Sequence, residues 1–378
     1  MPRMKTCFLM NYGPHYRFPI YSAIGEKFDV EFFFGDHLRE KIKGINYNLL
    51  PSFGGILKNS FMGPFYWQHG VVGKLFNKQY CQYVMVGDVY CLSTWATLLL
   101  AKCIPNSKTC LWTHGLYGSE TPFQRMVKSL LYKLCDRLLV YNEYSIHNME
   151  RVGIPTEKMM CIANSLDSDK EKALRNKLVS TSVYTSHFGN DNPVIIYCGR
   201  IQKRKRLDLL IDAIHKLKEI NMPSNLIIVG KDDDEVHLEY MVNTTGLNDY
   251  VWFYGPCYDD EKLAELFYNA SVCVSPGNVG LTAIHSLTFG CPVVTHSDFT
   301  LQMPEFEAIK EGITGSFFER NNLESLVKSL IPWLSNGDNK RELSRKAAFH
   351  EIDRKWNVHY QLSVLENILT DKNESPNC

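Results

Sequence analysis

The stretch that decides the fold is VIIYCGRIQKRKRLDLLIDAIHKLKE, residues 194–219. It begins with a short run of β-branched and aromatic residues, passes through a glycine turn, and continues with helical periodicity. Apolar side chains at spacings of i, i+1, i+4, i+5 and i+8 share one face of that helix: Leu209, Leu210, Ala213, Ile214 and Leu217. A strand, a turn and an amphipathic helix in this order predict the first half of a βαβ unit.

The same alternation of short apolar runs and helical segments extends in both directions from this stretch. Towards the amino terminus the predicted strands are TCFLMN (6–11), DVEFFFG (29–35), QYVMVGD (82–88), TCLWTHG (109–115), DRLLVYN (136–142) and MMCIAN (159–164). Towards the carboxyl terminus NLIIVGK (225–231), YVWFYG (250–255), SVCVSPG (271–277) and PVVTHS (292–297) follow. Continuous apolar runs are typical of parallel strands covered on both faces. The pattern predicts an α/β protein with two doubly wound domains in series.

A polar stretch without periodicity, KLVSTSVYTSHFGNDNP at 177–193, is interpreted as the linker between the domains. We place the boundary at residue 182, so that the predicted domains are 1–182 and 183–356. Two helical segments, 339–356 and 357–369, end the pattern without a further strand. In parallel open sheets, ligands bind outside the carboxyl ends of the strands, so candidate residues are sought in the loops that follow them.

Composition narrows the class of protein. The chain has 378 residues, of which 45% are apolar and 22% charged, an ordinary globular composition. Its 41 Lys and Arg balance 41 Asp and Glu, which argues against a nucleic-acid binder held by net charge. Most of the 12 Cys lie in strand-like runs, which indicates free thiols in a reducing cytosol. The amino-terminal run is interpreted as a strand rather than a signal peptide, and the protein is expected to be soluble or peripherally attached to a membrane.

Two post-strand loops carry candidate chemistry. In GRIQKRK, residues 199–205, Arg200 and Lys205 stand between a strand and a helix N-terminus, where a diphosphate would be favoured; a solvated charge cluster is the alternative. In CVSPGNVGLTAIHSLTFGCPVV, residues 273–294, Gly277 and Gly280 let backbone N–H groups approach a ligand before a helix that contains His285. For His285, a half-buried structural histidine is the alternative.

Together these motifs, G-R-x4-K followed by S-P-G-x-x-G-L and F-G-x-P-V-V, resemble glycosyltransferase family 4 over residues 194–335. The amino-terminal segments NYGPHYRFP, THG at 113–115 and NSLD at 164–167 are similar to members that build bacterial surface polysaccharides. The resemblance implies the GT-B fold, in which two Rossmann-like domains face a central cleft. It also implies a nucleotide-sugar donor, transfer with retention, and a carboxyl-terminal helix, 357–378, that returns to the first domain.

The resemblance implies roles for individual residues. As catalytic groups it indicates Arg200, Lys205 and, as a positioning or polarising group, His114, for which a core histidine is the alternative. Donor-binding positions are Gly13, Arg200, Lys205, Tyr254, Gly255, Tyr258, Gly277, Asn278, Val279, Gly280, Leu281, Thr282 and His285. Acceptor-binding candidates are Tyr16, Arg17 and His69, with contact of Tyr16 and Arg17 to a phosphate as the alternative. Glu120 is a candidate for acid-base chemistry or, equally, for capping a helix.

One departure from the family concerns a pair of glutamates eight positions apart, which in the family reach the donor sugar and the ribose. Gly277 and His285 occupy the matching positions here. A neutral imidazole offers one hydrogen-bond donor and one acceptor, so His285 is expected to hold the ribose in place of a carboxylate. Gly277 has no side chain, which leaves sugar recognition to backbone groups or to the first domain.

No metal or other cofactor is expected. Asp232 and Asp234 form a D-x-D pair, but transferases with this fold generally do not need it, and Cys and His show no zinc spacing. Two segments, 54–78 and 126–137, combine apolar and basic residues. They are interpreted as core-facing helices, with contact to a membrane surface as the alternative.

The sequence therefore predicts a cytoplasmic retaining glycosyltransferase that uses a UDP- or GDP-sugar. The expected acceptor is a glycan or lipid-linked glycan of a bacterial surface or capsular polysaccharide, met by peripheral contact with the inner face of the plasma membrane. Two alternatives stay open: a non-catalytic subunit that binds nucleotide-sugar, and a nucleotide-sugar epimerase of the same fold.

Overall fold

The computed structural model describes residues 5–40, 42–335 and 337–370. The chain forms two compact units, the first comprising Met1–Asp167 with Asn357–Cys378 and the second Ser168–Trp356. The expected boundary at residue 182 thus falls inside the second unit. From the sequence, a helix over 357–378 is expected to return to the first unit. Residues 371–378 of this range lie outside the described residues.

The first unit is built on a parallel sheet. Its strands, with one additional hairpin formed by β4 and β5, are β1 (Lys5–Met10), β2 (Val30–Gly35), β3 (Phe53–Leu57), β4 (Asn59–Met62), β5 (Phe65–Gln68), β6 (Tyr80–Val86), β7 (Lys108–Thr113), β8 (Arg137–Val140) and β9 (Met159–Cys161). Its first five helices are α1 (Phe18–Lys27), α2 (Val71–Lys74), α3 (Leu92–Ala101), α4 (Pro122–Leu134) and α5 (Glu143–Glu150). All six predicted strands of this half are present.

The order of this sheet is β3-β2-β1-β6-β7-β8-β9. The chain therefore moves outward in one direction from β1 and in the other direction from β6, so these two neighbours mark the point at which strand order reverses. Crevices for ligands form at such points, outside the carboxyl ends of the strands.

The interpretation of segment 54–78 as helical is wrong for most of its length. Residues of this segment form β3, the β4–β5 hairpin and only the short helix α2. The hairpin turns at Gly63, whose φ of 52° lies in the left-handed region that a two-residue hairpin loop requires. The aromatic residues Phe61, Tyr66 and Trp67 occupy its antiparallel ladder, a placement that aromatic side chains favour.

The second unit contains the other parallel sheet. Its strands are β10 (Val194–Cys198), β11 (Asn225–Val229), β12 (Val251–Gly255), β13 (Val272–Ser275), β14 (Val293–His296) and β15 (Gly315–Phe318), in the order β12-β11-β10-β13-β14-β15. Its helices are α6 (Ser168–Arg175), α7 (Val183–Phe188), α8 (Leu207–Glu219), α9 (Leu238–Thr244), α10 (Asp260–Asn269), α11 (Leu281–Thr288), α12 (Leu323–Leu334) and α13 (Asp338–Lys355). Strand order reverses between β10 and β13. The predicted α/β class with two Rossmann-like domains is confirmed.

The predicted apolar face of α8 is buried in the core of the second unit. Leu209 is 6% exposed, and Leu210, Ala213, Ile214 and Leu217 are fully buried. These side chains pack with those of β10, β11 and β13, which is what a helix crossing over a parallel sheet requires.

The polar stretch 177–193 is not a structureless linker. It contains α7, in which Tyr184 is buried and donates a hydrogen bond to the carbonyl oxygen of Leu266 at 2.6 Å. Ahead of it, Arg175 at the end of α6 pairs with Asp353 at 2.9 Å. These contacts place the segment in the second unit and explain why the division falls after Asp167.

The last helix, α14 (Val358–Leu369), belongs to the first unit. Val358, Leu365 and Ile368 pack into the same core as β1 and β2, and Lys27 of α1 pairs with Glu366 at 2.7 Å. Among the described residues, no helix combines the length and the apolar character needed to cross a membrane.

Candidate functional site

Both sheets place candidate residues at their points of strand reversal. In the second unit, the loop after β10 carries Arg200 and Lys205, and the loop after β13 leads into α11. In the first unit, the loops after β1, β6 and β7 line one cavity. Each unit therefore has candidate residues in the loops that follow its strands.

Lys205 is the centre of the second-unit site. Its Nζ donates to the carbonyl oxygen of Asn278 at 2.6 Å and to Asn278 Oδ1 at 2.9 Å. Burial, with the charges of Arg204 and Arg200 adding to it, lowers the pKa of Lys205 to about 8. The ammonium therefore remains mostly protonated at neutral pH in a place where an anion would relieve its desolvation.

The loops after β10 and β13 are in direct backbone contact. Gly277 donates its N–H to the carbonyl oxygen of Lys205 at 2.9 Å. A Cβ atom added at Gly277 would lie 2.2 Å from the carbonyl oxygen of Arg204 and 2.7 Å from the Cα of Lys205. No side chain fits at 277 unless the two loops move apart.

The N-terminus of α11 adds backbone donors to this site. The helix begins at Leu281 with Gly280 as its N-cap, and no described side chain caps it. The first N–H groups of a helix have no partners within the helix and attract anions. Gly280, Leu281 and Thr282 stand at this helix end, and their role as donors to a phosphate stays a prediction; the Thr282 hydroxyl donates to the carbonyl oxygen of Cys198 at 3.0 Å.

Val279 does not share this role. Its side chain is fully buried, and its N–H donates to Gln302 Oε1 at 2.8 Å. The N–H of Val279 is thus engaged within the protein, and any contribution of Val279 to donor binding stays a prediction that must involve its other backbone groups. Asn278 is likewise engaged, but through oxygens that hold Lys205.

Arg200 differs from Lys205 in being exposed. Its carbonyl oxygen accepts a hydrogen bond from the Tyr197 hydroxyl at 2.7 Å, which fixes the backbone of the turn while the guanidinium reaches solvent. The turn itself needs glycine, because Gly199 has a φ of 149°. Arg200 is thus an exposed cation beside the anchored ammonium of Lys205.

His285 lies on α11 among aromatic rings. Phe267 and Phe289 are each 5.2 Å from it between ring centroids, and its Nε2 lies 3.5 Å from Glu171 Oε1. Burial lowers its pKa to about 4. The imidazole is therefore neutral at pH 7 and packed, and its role towards a ribose stays a prediction.

The predicted nucleobase positions follow the edge strand β12. Tyr254 is half-buried on the strand, and Gly255 takes a φ of 81° where the chain leaves the sheet. Tyr258 is 88% exposed. Tyr254, Gly255 and Tyr258 lie at the carboxyl end of β12, and Gly199 follows the carboxyl end of β10. Because β12, β11 and β10 are consecutive neighbours, all four residues lie at the same end of the strands.

Asp232 of the D-x-D pair has a structural role. Its carboxylate accepts hydrogen bonds from the N–H groups of Asp234, Val236 and His237 at 2.8–3.2 Å. Although burial raises its pKa, these backbone bonds lower it below the ordinary value overall. Asp234 accepts from the Lys203 N–H at 3.1 Å, so both carboxylates shape the turns after β10 and β11.

The first-unit site is a cavity of about 400 Å³. It lies at the carboxyl ends of β1, β6, β7 and β8, and its volume is in the range of small-molecule sites. Of its 22 lining residues, eight are Tyr or Trp: Tyr12, Tyr16, Tyr21, Tyr90, Trp112, Tyr117, Tyr132 and Tyr141. Such rings pack against the apolar faces of sugars, as the predicted acceptor role requires.

Arg17 reaches across this cavity. Its guanidinium donates to the Tyr141 hydroxyl and lies 5.0 Å from the ring centroids of both Trp112 and Tyr141. Contacts of this kind with aromatic faces stabilise a guanidinium. Of the predicted acceptor residues, Tyr16 and Arg17 therefore line the cavity together.

His114 follows β7 and also lines the cavity. Its ring centroid is 4.6 Å from that of Tyr141, and its Nδ1 is buried without a hydrogen-bond partner among the described residues. Burial, with the positive charges of Arg17 and Lys128, lowers the pKa of His114 to about 4. The ring is therefore a neutral donor or acceptor at pH 7 and not a charged group.

Glu120 is held by neighbouring groups. It accepts from the N–H groups of Tyr117 and Gly118, each at 2.9 Å, and pairs with Lys128 Nζ at 2.8 Å. Although its burial acts to raise the pKa, these partners lower it. A carboxylate so engaged stabilises the loop after β7 and is poorly placed for proton transfer.

Sequence reasoning missed two cavity residues, Asp88 and Lys128. Asp88 accepts from the Tyr66 hydroxyl at 3.0 Å and from the Tyr90 N–H at 3.0 Å. It stands directly after the predicted strand 82–88, so the rule that selected Arg200 also applied to it. Lys128 projects from α4, and nothing in its local sequence separates it from a solvated lysine.

Two predicted residues are outside this cavity. His69 is exposed, and its Nε2 lies 2.9 Å from Ser60 Oγ across the β4–β5 hairpin; its contact with an acceptor stays a prediction. Gly13 is buried in the loop after β1, where an added Cβ would lie 3.0 Å from Ile45. The small residue at 13 is thus explained by packing.

Residues 185–350 match the family model of glycosyl transferases group 1, a match that lies within the second unit. The chain is 28% identical over 190 residues to alpha-monoglucosyldiacylglycerol synthase of Acholeplasma laidlawii, covering 49% of this chain and 43% of the relative. The chain thus spans less than half the length of that relative. Both matches support the predicted class of enzyme, a glycosyltransferase.

Solved structures resemble the whole described fold. The apo form of the lipopolysaccharide outer core galactosyltransferase WaaB superimposes with a TM-score of 0.73 at 14% identity, over 97% of this chain and 100% of the other. Anabaena Alr3699/HepE in complex with UDP gives 0.71 at 14% identity, also over 97% and 100%. These likenesses confirm the GT-B fold.

Proposed function

We propose that this protein is a glycosyltransferase that moves a sugar from a nucleoside-diphosphate donor to a saccharide acceptor. The observation that carries the proposal is the meeting of Lys205, Arg200 and the uncapped N-terminus of α11 at the strand reversal of the second unit. Two cations and several free N–H groups are the partners that a diphosphate requires. The match of residues 185–350 to glycosyl transferases group 1 supports the same chemistry.

Charge on the leaving diphosphate is the main obstacle in this reaction. Lys205 is anchored by Asn278 and Arg200 is an exposed cation beside it, so positive charge is in place before the bond to the sugar breaks. No described side chain at this site is arranged as a nucleophile, and position 277 has none. The proposed transfer proceeds with retention at the anomeric carbon, which NMR of the first-formed product tests.

UDP is the first nucleotide to test, because HepE was solved with UDP. Calorimetry with UDP, GDP, ADP and CMP should show selective binding of one diphosphate. Lys205→Met should weaken that binding by at least roughly tenfold, the effect of a lost charged hydrogen bond. The matched control is Lys203→Met, which removes an exposed lysine of the same turn. Equal effects of the two substitutions would contradict the proposal.

Transfer itself separates the proposal from its alternatives. A single-turnover assay with the donor that calorimetry selects should give a glycosylated acceptor, and Arg200→Ala should abolish it. Nucleotide binding without transfer to any acceptor would favour a non-catalytic subunit. Conversion of the donor sugar without an acceptor would favour an epimerase.

The proposed acceptor is a lipid-linked glycan of a bacterial surface or capsular polysaccharide, met on the cytoplasmic face of the membrane. Helix α4 supports this, because Phe123, Met126 and Leu130 form an exposed stripe at spacings of i, i+3 and i+7. Arg125 and Lys133 on the same helix are exposed beside that stripe. A basic amphipathic helix of this kind fits an anionic lipid surface.

Sedimentation with vesicles tests this membrane contact. The protein should bind vesicles containing phosphatidylglycerol more strongly than vesicles of phosphatidylcholine alone. Substituting Phe123→Glu with Leu130→Glu should abolish binding, whereas Leu343→Glu on α13, which changes another exposed leucine, should not. Binding that both variants retain would exclude α4 as the membrane contact.

We also propose that transfer needs no metal. Two cations and the α11 N-terminus supply the positive charge, and Asp232 is engaged by three backbone N–H groups. Activity should therefore persist in EDTA, and a requirement for added Mg²⁺ or Mn²⁺ would contradict this part of the proposal.

A further inference from the structure

The cavity of the first unit contains a cation without a counter-charge. Arg17 lines the cavity, and among the described residues no carboxylate pairs with it. Lys128, in the same wall, is by contrast paired with Glu120 at 2.8 Å. The chain as a whole carries no net charge, so the positive character at Arg17 is local.

The surroundings fix the guanidinium in a way suited to binding. Trp112 and Tyr141 lie against its faces, and the Tyr141 hydroxyl accepts one of its hydrogen bonds. A guanidinium has five N–H donors in a planar fork that matches carboxylate and phosphate oxygens. A guanidinium that already lies against aromatic rings and donates one hydrogen bond loses little side-chain entropy when a ligand pairs with its other N–H groups.

His114 adds a second observation at the same place. Its Nδ1 is buried without a described partner, although buried nitrogens are nearly always hydrogen-bonded. The charges acting on this ring come from Arg17 and Lys128, both positive. An anionic oxygen at this end of the cavity would accept a hydrogen bond from the Nδ1–H tautomer of His114 and offset the charge of Arg17, since Lys128 is already paired with Glu120.

Asp88 provides the contrasting polar group. Its oxygens accept from Tyr66 and Tyr90, and it lines the cavity from the loop after β6. Carboxylate oxygens can accept further bonds from sugar hydroxyls. A cavity with aromatic walls, one carboxylate and one guanidinium that no described carboxylate pairs with fits a saccharide that bears a negative group.

We infer that this cavity binds a sugar carrying an anionic group, a carboxylate or a phosphate, and that Arg17 is the residue that selects it. The inference rests on the proposed function, since it assigns the acceptor to the cavity of the first unit. The expected acceptor is acidic and not neutral. The diphosphate of the donor is the other source of anionic oxygens, and the experiment below distinguishes the two.

The experiment follows the side-chain Nε resonance of Arg17 in the full-length, ¹⁵N-arginine-labelled protein, with the peak identified by Arg17→Lys. Glucuronate, glucose 6-phosphate, glucose and UDP are titrated separately. A shift of the Arg17 peak with glucuronate or glucose 6-phosphate but not with glucose supports the inference, and the responding compound distinguishes carboxylate from phosphate. Arg151, which is exposed at the end of α5, reports any nonspecific effect of charge.

Affinity for the better anionic sugar should fall by at least roughly tenfold in Arg17→Met and stay unchanged in Arg151→Met. Arg17→Lys, which keeps the charge but not the fork, should give an intermediate loss. Arg17 and Arg151 shifting alike, no shift with either anionic sugar, or an equal response to neutral glucose would overturn the inference. A shift of Arg17 with UDP alone would assign the anion to the donor and overturn it as well, while leaving the donor site at Lys205 supported.

Discussion

Replacing Gly277 by alanine tests how tightly the two loops of the donor site are joined. The new methyl carbon would lie 2.2 Å from the carbonyl oxygen of Arg204, so the loops must separate by about 1 Å to reach van der Waals contact. Overpacking of this kind costs about 1–3 kcal/mol. The separation also strains the 2.9 Å bond from the Gly277 N–H to Lys205 and the 2.6 Å bond from Lys205 to Asn278.

Differential scanning calorimetry and UDP titration measure the two consequences. For a unit of this size each kcal/mol lowers Tm by roughly 2–4 °C. Gly277→Ala should therefore lower Tm and also weaken UDP binding, and Gly277→Glu should do the same without restoring any family-like gain in affinity. Gly280→Ala is the control for stability, because its Cβ would meet only the Met303 side chain, at 3.8 Å. Wild-type Tm and affinity in Gly277→Ala would refute the steric argument.

Three further outcomes are expected. Because the pKa of Lys205 is about 8, UDP affinity should fall as pH rises through 8, and calorimetry on Lys205→Met should show that this dependence is lost. Burial lowers the pKa of His114 from 6.5 to about 4, so between these pH values the unfolded chain takes up a proton that the folded chain does not. The free energy of unfolding should therefore fall as pH drops from 6.5 to about 4. Urea titrations of His114→Gln should show a smaller fall. Asp232→Ala should lower Tm, by releasing three backbone N–H groups, yet leave the EDTA-resistant transfer rate unchanged.

Strands buried on both faces were predictable because they leave a continuous apolar run in the sequence. Helices with one buried face were predictable because their apolar residues recur at helical spacing. The strand 109–115 and the helix face of Leu209 to Leu217 are examples. The β4–β5 hairpin was not predictable in this way, since its tip exposes Met62 and Phe65 and so breaks the apolar and polar alternation. The interpretation of segment 177–193 as a linker is wrong because Tyr184 is the single buried residue of α7. One buried position produces no periodic pattern in the sequence.

Site residues close to a strand end in sequence were found more readily than those brought there by the fold. Arg200, Lys205 and Arg17 follow strands within a few residues, and the structure places each at a strand reversal. Lys128 comes from the middle of a helix, and its position depends on where α4 packs. The engagement of Val279 by Gln302 is likewise a long-range hydrogen bond, which no local pattern records.

The β4–β5 hairpin is tied to the loop that follows β1. Asn59 donates to the carbonyl oxygen of Asn11 at 3.0 Å, Gln68 donates to that of Met10 at 2.9 Å, and Tyr66 donates to Asp88. Each of these bonds ends on a residue that lines the cavity. The hairpin therefore helps to hold three cavity-lining residues in place. If the cavity binds the acceptor as proposed, exchanging the hairpin between related chains should change acceptor preference, which would make it a practical unit for engineering.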